Sequence, residues 1–120
     1  MWMERFQASV RERDFETGLT LYSEKATMFG TRVSASTELN DYSQRQWRKI
    51  WTNSKDFRFE QITQMQSSGE FAFCSATWSN RTLVDGQLVE RTGRATFVFQ
   101  TLRGEIKAIH SHFSETPNLN

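Results

Sequence analysis

The chain has 120 residues, of which 37% are hydrophobic and 13% aromatic, and this size and composition predict a single packed domain over residues 1–120. Its 15 Lys and Arg residues are nearly balanced by 14 Asp and Glu residues, which argues against a protein that binds nucleic acid or an anionic membrane. Cys74 is the one cysteine and cannot close an internal disulfide, and no apolar run approaches the ~18 residues of a membrane span, so we expect a cytoplasmic protein without a membrane partner.

Helical periodicity marks the first part of the chain. One predicted helix has an apolar face whose residues recur every four positions, namely Trp2, Phe6 and Val10. Asp14 is a good N-cap for a second helix, in which one face would hold Phe15, Leu19 and Tyr22. A short extended segment over residues 26–32 is expected to follow.

A third helix is predicted between residue 36 and Asn53–Ser54. Ser36 or Thr37 can cap its first turn, where acidic side chains favour a helix N-terminus. Its inward stripe would consist of Leu39, Ser43, Trp47, Ile50 and Trp51.

From Phe57 onward the hydrophobic pattern has a period of two, which predicts strands. Three pairs of turn-forming residues divide this region into four antiparallel strands: Ser68–Gly69, Asp85–Gly86 and Arg103–Gly104. Two-residue loops at these turns would pair Gln66 with Phe71, Leu83 with Leu88, and Thr101 with Ile106. Helices followed by a meander predict an α+β fold, with three N-terminal helices packed on one face of a curved, mostly antiparallel sheet.

The predicted pairings place a candidate pocket beside the last strand. Side chains alternate along a strand, so His110, His112 and Ser114 share one face, and the pairings put that face under the helices. Small residues next to His112 would leave space there, and aromatic residues of the helices would cover it. The expected lining is Gln61, Thr63, Cys74, Ala76, Ala95, Ser114, Tyr22, Tyr42, Trp47 and Trp51.

His112 and His110 are the candidate catalytic residues, because a neutral imidazole can accept a proton near pH 7. The alternative is that each is a buried histidine satisfied by a backbone carbonyl or a water molecule. Two histidines on a strand could also hold a metal ion, but a catalytic zinc site usually needs a third protein ligand. No acidic residue falls on the predicted inner face of the strands, so we expect neither a metal nor a cofactor.

The opposite face of the predicted sheet suggests a homodimer. It would carry an apolar band that crosses three strands, formed by Phe73, Val98, Ile109 and Phe113. A monomer rarely leaves such a band exposed, and a two-fold pairing of copies would cover it.

Several segments together resemble the SnoaL-like group of the nuclear transport factor 2-like superfamily. They are residues 13–16, Phe29–Gly30–Thr31, Gln46–Trp47 with Trp51, residues 93–96, and residues 110–114 with Pro117. The last of these is also similar to the association domain of calmodulin-dependent protein kinase II. The resemblance implies a cone-shaped, cystatin-like α+β barrel whose helices cover the concave sheet face, a ligand cavity at one end, and frequent dimers. Such proteins include isomerases, cyclases, dehydratases and assembly domains, so fold does not decide function.

We expect a homodimeric domain that binds a small apolar molecule near the last strand. One alternative is an isomerase-, dehydratase- or cyclase-like enzyme with His112 as general acid or base, in which Gln61, Tyr22 or Tyr42 would bind a carbonyl or enolate oxygen. Enzymes of this family use an inward carboxylate as general base, and the predicted inner face has none. The other alternative is an oligomeric assembly module.

Overall fold

A computed structural model describes residues 1–117 and has helices before a five-stranded sheet. In chain order the elements are α1 Trp2–Glu12, α2 Phe15–Thr20, β1 Tyr22–Phe29, α3 Leu39–Tyr42, a π-helix Ser43–Trp47, α4 Arg48–Asn53, β2 Ser54–Ser68, β3 Phe71–Val84, β4 Gln87–Leu102 and β5 Glu105–Glu115. The predicted α+β class is confirmed. No helix within the described residues is long and apolar enough to cross a membrane.

The second helix begins where the sequence predicts. The Asp14 carboxylate accepts hydrogen bonds from the Thr17 backbone N–H at 3.1 Å and from the Thr17 hydroxyl at 2.7 Å, which caps α2. The expectation that Tyr22 belongs to this helix is wrong, because α2 ends at Thr20. Tyr22 instead begins β1, where it is paired with Ala108 of β5.

The third helical stretch is interrupted by a π-helix. Its first residues, α3, follow Glu38, which makes no side-chain cap, so the predicted capping role of Ser36 or Thr37 is wrong. The Ser36 hydroxyl instead hydrogen bonds the backbone of Glu38, at 3.1 Å to both its N–H and its carbonyl. The π-helix joins α3 directly to α4, so the buried positions do not follow a strict α-helical period across it.

The sheet has the strand order β1-β5-β4-β3-β2. Strands β2 to β5 form the predicted antiparallel meander, and β1 adds a parallel edge beside β5. Because β1 and β2 both remain edges, the sheet is curled but does not close into a barrel. The predicted pairs Leu83–Leu88 and Thr101–Ile106 are confirmed.

The β2–β3 hairpin differs from its predicted register. Its turn is Gly69–Glu70, so Gln66 is paired with Phe73 rather than with Phe71. A shift of two residues alone leaves faces unchanged, but β2 also has register shifts after Phe59 and after Ile62. Gln61 is paired to Thr77 of the outer face. Both Gln61 and Thr63 are exposed, as is every residue of β2 from Glu60 onward, so this part of the edge strand has no buried face.

A β-bulge at Ile109 inverts the faces of the last strand. Phe99 is paired with Ala108, but its neighbour Val98 is paired with His110, so Ile109 is the extra residue. Beyond this point the side chains alternate in the opposite phase from the prediction. Ser111 is fully buried, whereas His112 is exposed on the outer face. The predicted inward placement of His110, His112 and Ser114 is therefore wrong.

The core lies between the helices and the concave sheet face, and aromatic rings fill much of it. Phe6 of α1 is 1% exposed and stacks on Trp2, with ring centroids 5.3 Å apart. It also meets the Trp51 and Phe97 rings edge-on at 5.8 and 6.1 Å. Aromatic pairs of this geometry each add roughly 1 kcal/mol to the area they bury. The helices are thus held over the sheet mainly by ring packing.

Candidate functional site

A cavity of about 50 Å³ lies between α1, the π-helix with α4, and the sheet. Most of its wall is aromatic, formed by Phe6, Tyr42, Trp47, Trp51, Phe57, Trp78 and Phe113. The remaining side chains are aliphatic or uncharged polar groups. This combination of an apolar wall and a few polar groups is typical of sites that bind small molecules.

Gln46 organises one polar end of the cavity. Its amide oxygen accepts hydrogen bonds from the backbone N–H groups of Arg32 at 2.7 Å and Val33 at 3.1 Å. Its amide nitrogen donates to the Thr31 hydroxyl at 2.9 Å. Gln46 is 5% exposed, so these three bonds satisfy a buried amide and hold the loop after β1 against the π-helix.

Tyr42 lies beside Gln46 on the same wall. Its hydroxyl donates to the Phe29 carbonyl over a long 3.5 Å. Burial raises the pKa of the Tyr42 phenol well above its ordinary value, and the nearby Tyr22 raises it further, so the phenol is neutral at physiological pH. Tyr42 can therefore donate a hydrogen bond to a ligand but is a poor general base.

Ser54 and Asn80 form the other polar end. The Asn80 amide donates to the Ser54 hydroxyl at 2.8 Å, and both residues are 4% exposed. Among the residues that the structure describes, no carboxylate, ammonium, guanidinium or imidazole lines the cavity, which leaves Tyr42 as its titratable group. Residues 1–117 also bring together no cluster of three or more His, Cys, Asp or Glu side chains suited to a metal ion. The cavity therefore suits an uncharged group.

The structure brings together only part of the predicted pocket lining. Tyr42, Trp47 and Trp51 line the cavity, and the two indoles stack with centroids 4.7 Å apart. Three small residues of the inner sheet face are buried at 2% exposure or less but do not reach the cavity wall: Cys74, Ala76 and Ala95.

Four other predicted pocket residues also lie elsewhere. Tyr22 is buried and donates to the Ser111 hydroxyl at 2.8 Å. Gln61 and Thr63 are exposed in the part of β2 that has no buried face, and Ser114 accepts a hydrogen bond from the Arg94 guanidinium at 3.0 Å on the outer face.

The two histidines form a cluster on the outer face with residues of β1. Nδ1 of His110 lies 2.7 Å from the Thr27 hydroxyl oxygen. The Phe29 ring meets His110 and His112 edge-on, with centroids 5.0 and 5.4 Å away. Neither histidine lines the cavity, so the geometry gives no support to acid–base catalysis by His112 within it.

The predicted apolar band of the outer face is smaller than expected. Phe73 and Val98 are directly opposite each other and half-buried there, and Ile109 is the residue at the bulge. The outward placement of Phe113 is wrong, because the bulge turns its ring inward to within 5.5 Å of the Phe97 centroid.

Several cavity residues were not predicted as pocket residues. Phe6 and Val10 belong to the predicted apolar face of α1, and their period indicates burial but not a neighbouring void. The sequence does contain a signal that Gln46 is buried, because this polar residue directly precedes Trp47 of the predicted inward stripe. A buried amide in such a place requires partners, and here these are the backbone groups of a loop.

Residues 2–118 match the SnoaL-like domain family. No curated protein matches the chain. Among solved structures, the chain is similar to a nuclear transport factor 2-like superfamily protein from Salmonella enterica, with a TM-score of 0.84 and 15% identity over 99% of this chain and 89% of that one. It is similar to a candidate calcium/calmodulin-dependent protein kinase II association domain from Xanthomonas campestris, with a TM-score of 0.83 and 15% identity over 97% and 84% of the two chains. It is also similar to a ketosteroid isomerase-like protein from Erwinia carotovora, with a TM-score of 0.83 and 11% identity over 98% and 92%.

Proposed function

The chain belongs to the SnoaL-like domain family, and we propose from this and from its cavity that it is a homodimeric domain that binds a small, largely apolar molecule. The observation that carries the proposal is the aromatic cavity, whose wall holds no charged side chain from residues 1–117. The transfer of apolar groups from water into such a space is favourable, and the hydroxyl and amide groups at its ends can orient a ligand.

The size of the cavity limits the ligand. A volume of about 50 Å³ holds roughly four water molecules, or a few carbon atoms in their place. Pockets for drug-sized molecules are several times larger, at about 300–1,000 Å³. A short aliphatic group or part of a small ring therefore fits directly, whereas a larger ligand requires a tryptophan such as Trp47 or Trp78 to move.

Binding is favoured over the isomerase-like alternative by the chemistry of the cavity wall. An isomerisation needs a group that removes a proton and a group that stabilises the charge that develops. Tyr42 can supply the second role as a neutral donor, but the part of the chain that the structure describes brings no carboxylate or imidazole to the cavity wall for the first. The similarity to a ketosteroid isomerase-like protein is at 11% identity and supports the fold alone.

The homodimer is proposed on the outer sheet face. The Phe73–Val98 pair is half-buried there, and Phe29 is 38% exposed nearby on the strand beside the histidines. Covering these side chains with a second copy would remove apolar surface from water. Light scattering is expected to give twice the mass of one chain, and Val98→Glu to give a monomer. A larger assembly would favour the alternative of an assembly module.

A cavity-filling variant tests the binding proposal. Isobutanol and 2-propanol are suitable neutral probes because their hydrocarbon parts are short, and binding is measured by the concentration-dependent rise of the melting temperature. Val10→Leu adds a methylene to the cavity wall and is expected to weaken binding at least tenfold. The matched control is Val33→Leu, since Val33 is 3% exposed but does not line the cavity. Equal binding to both variants would place the probes elsewhere and contradict the proposal.

A further inference from the structure

A positively charged groove lies directly outside one end of the cavity. The groove has a volume of about 330 Å³ and is lined by Arg11, Arg13, Ser54, Lys55 and Asp56. Ser54 lines both this groove and the aromatic cavity. Its hydroxyl accepts a hydrogen bond from Asn80, which also lines the cavity, so a molecule that occupies both spaces must pass the buried Ser54.

The two arginines of the groove are held in place by backbone carbonyl groups. Nε of Arg11 donates to the Phe57 carbonyl at 2.7 Å. Arg13 donates at 3.4 Å to the Thr52 carbonyl and at 3.4 Å to the Ser54 carbonyl. These bonds tie the end of α1 to the start of β2. Each guanidinium group has five N–H donors, so both retain donors for a further acceptor.

The positive charge of the groove is not neutralised within the described residues. Arg11, Arg13 and Lys55 form none of the ion pairs there, whereas the one carboxylate of the groove, Asp56, is paired with Arg81. The hydrogen bond and charge of Arg81 lower the pKa of the Asp56 carboxyl, and the charge of Arg11 lowers it further. A second anion would therefore find three unpaired cations in the groove.

We propose that the ligand is a small carboxylic acid, with its hydrocarbon part in the aromatic cavity and its carboxylate in the groove. The inference rests on the proposed function, because it assigns the chemical class of the molecule bound in the same cavity. A guanidinium group matches the two oxygens of a carboxylate with paired N–H donors, and a lysine adds a third charge. The uncharged cavity selects the tail, and Arg11, Arg13 and Lys55 select the charged end.

Isovalerate and its neutral analogue isovaleramide test the assignment, because they share one branched tail and differ in charge. Titration calorimetry at low ionic strength is expected to show tighter binding of isovalerate. Lys55 is exposed, and among the described residues its side chain makes no hydrogen bond or ion pair, so Lys55→Gln should fold normally and weaken isovalerate about threefold, within the range of exposed ion pairs. Lys55→Arg should retain the affinity, and Lys25→Gln, on an exposed position outside the groove, is the matched control. Added salt should weaken the acid and leave the amide unchanged.

Three results would overturn the inference. Equal affinities of acid and amide, both unaffected by Lys55→Gln, would reject the carboxylate and leave the proposed function intact. Binding of isovalerate that responds to Lys55→Gln but not to Val10→Leu, with inorganic phosphate binding as tightly, would show that the groove holds anions independently of the cavity. No binding of either compound, with isobutanol and 2-propanol also failing, would reject the proposed function together with the inference.

Discussion

The Tyr22 hydroxyl donates a hydrogen bond to the Ser111 hydroxyl over 2.8 Å, which joins the first strand to the last across 89 residues of sequence. Both side chains are excluded from solvent, at 3% and 0% exposure. Ser111 stands between the two histidines that are the most conspicuous residues of the last strand. The bulge at Ile109 gives Ser111 the inward position that a regular strand would have given to its neighbours.

Removing both partners of this pair should cost less unfolding free energy than the two single removals added together. Tyr22→Phe leaves the buried Ser111 hydroxyl without its donor, and Ser111→Ala leaves the buried Tyr22 hydroxyl without its acceptor. Each variant is expected to lose about 1–3 kcal/mol of unfolding free energy. The double variant should lose less than the sum, because no orphaned hydroxyl remains. Urea unfolding of the four proteins measures this coupling. Strictly additive losses would mean that the two hydroxyl groups do not stabilise each other.

Alkaline pH should destabilise the protein partly through Tyr22. Burial raises the pKa of its phenol above the ordinary value, and the hydrogen bond to Ser111 only partly opposes this. In the unfolded chain the phenol loses its proton near pH ~10, so the stabilisation is complete below that pH and declines as the pH rises further. The decline approaches about 1.4 kcal/mol per pH unit for each such group.

Tyr22→Phe should remove this contribution and flatten the pH dependence above pH ~10. A residual slope is expected, because burial also raises the pKa of Tyr42. Unfolding in urea at a series of pH values between about 9 and 11 compares the variant with the parent protein. Parallel curves would show that Tyr22 titrates normally.

Truncation of the neighbouring β5 residues His112 and Phe113 should change stability by very different amounts. His112→Ala changes an exposed side chain and is expected to alter stability by no more than about 0.5 kcal/mol and to leave cavity binding unchanged. Phe113→Ala removes a ring that packs on Phe97 and lines the cavity, so a loss of about 3 kcal/mol is expected. Thermal unfolding distinguishes the two. A large loss for His112→Ala would contradict the outward assignment.

The loop after β1 should loosen when Gln46 is truncated. Gln46→Ala deprives the Arg32 and Val33 N–H groups of their shared acceptor, and an unfolding free-energy loss of about 1–3 kcal/mol is expected. Gln44→Ala is the matched control, since Gln44 is exposed in the same π-helix. Amide hydrogen exchange at Arg32 and Val33 gives the local readout. Unchanged protection in Gln46→Ala would mean that other contacts hold the loop.

The sequence was sufficient to predict the fold class and much of the strand pairing. Apolar periods and the turn residues Asp85–Gly86 and Arg103–Gly104 are local signals, and the two hairpins they predict have the expected pairs. The faces of β5 were not predictable in this way. One inserted residue at Ile109 inverts the alternation, and Ile109 is an ordinary strand residue without a turn signal.

The cavity depends on how elements distant in sequence fit together, which explains why its wall was predicted only in part. Tyr42, Trp47 and Trp51 were expected near a pocket because they are large apolar residues of a helix facing the sheet. Ser54 and Asn80 meet only because β2 and β3 pair as they do. No spacing within either strand indicates that contact.

The π-helix lets the aromatic wall hold one more residue than a regular α-helix would allow. Tyr42 and Trp47 are both buried although they are five positions apart, a separation that places side chains roughly 140° apart around a regular α-helix. The Arg48 backbone N–H reaches back five residues to the Ser43 carbonyl, and this wider turn takes up the extra residue. Deleting an exposed residue of the turn such as Gln44 would place Tyr42 and Trp47 four positions apart, which a regular α-helix holds on one face, so the wall would survive the deletion. One further residue inserted without a second wide turn would instead rotate α4 by about 100° relative to α3 and carry Trp51 away from Phe6.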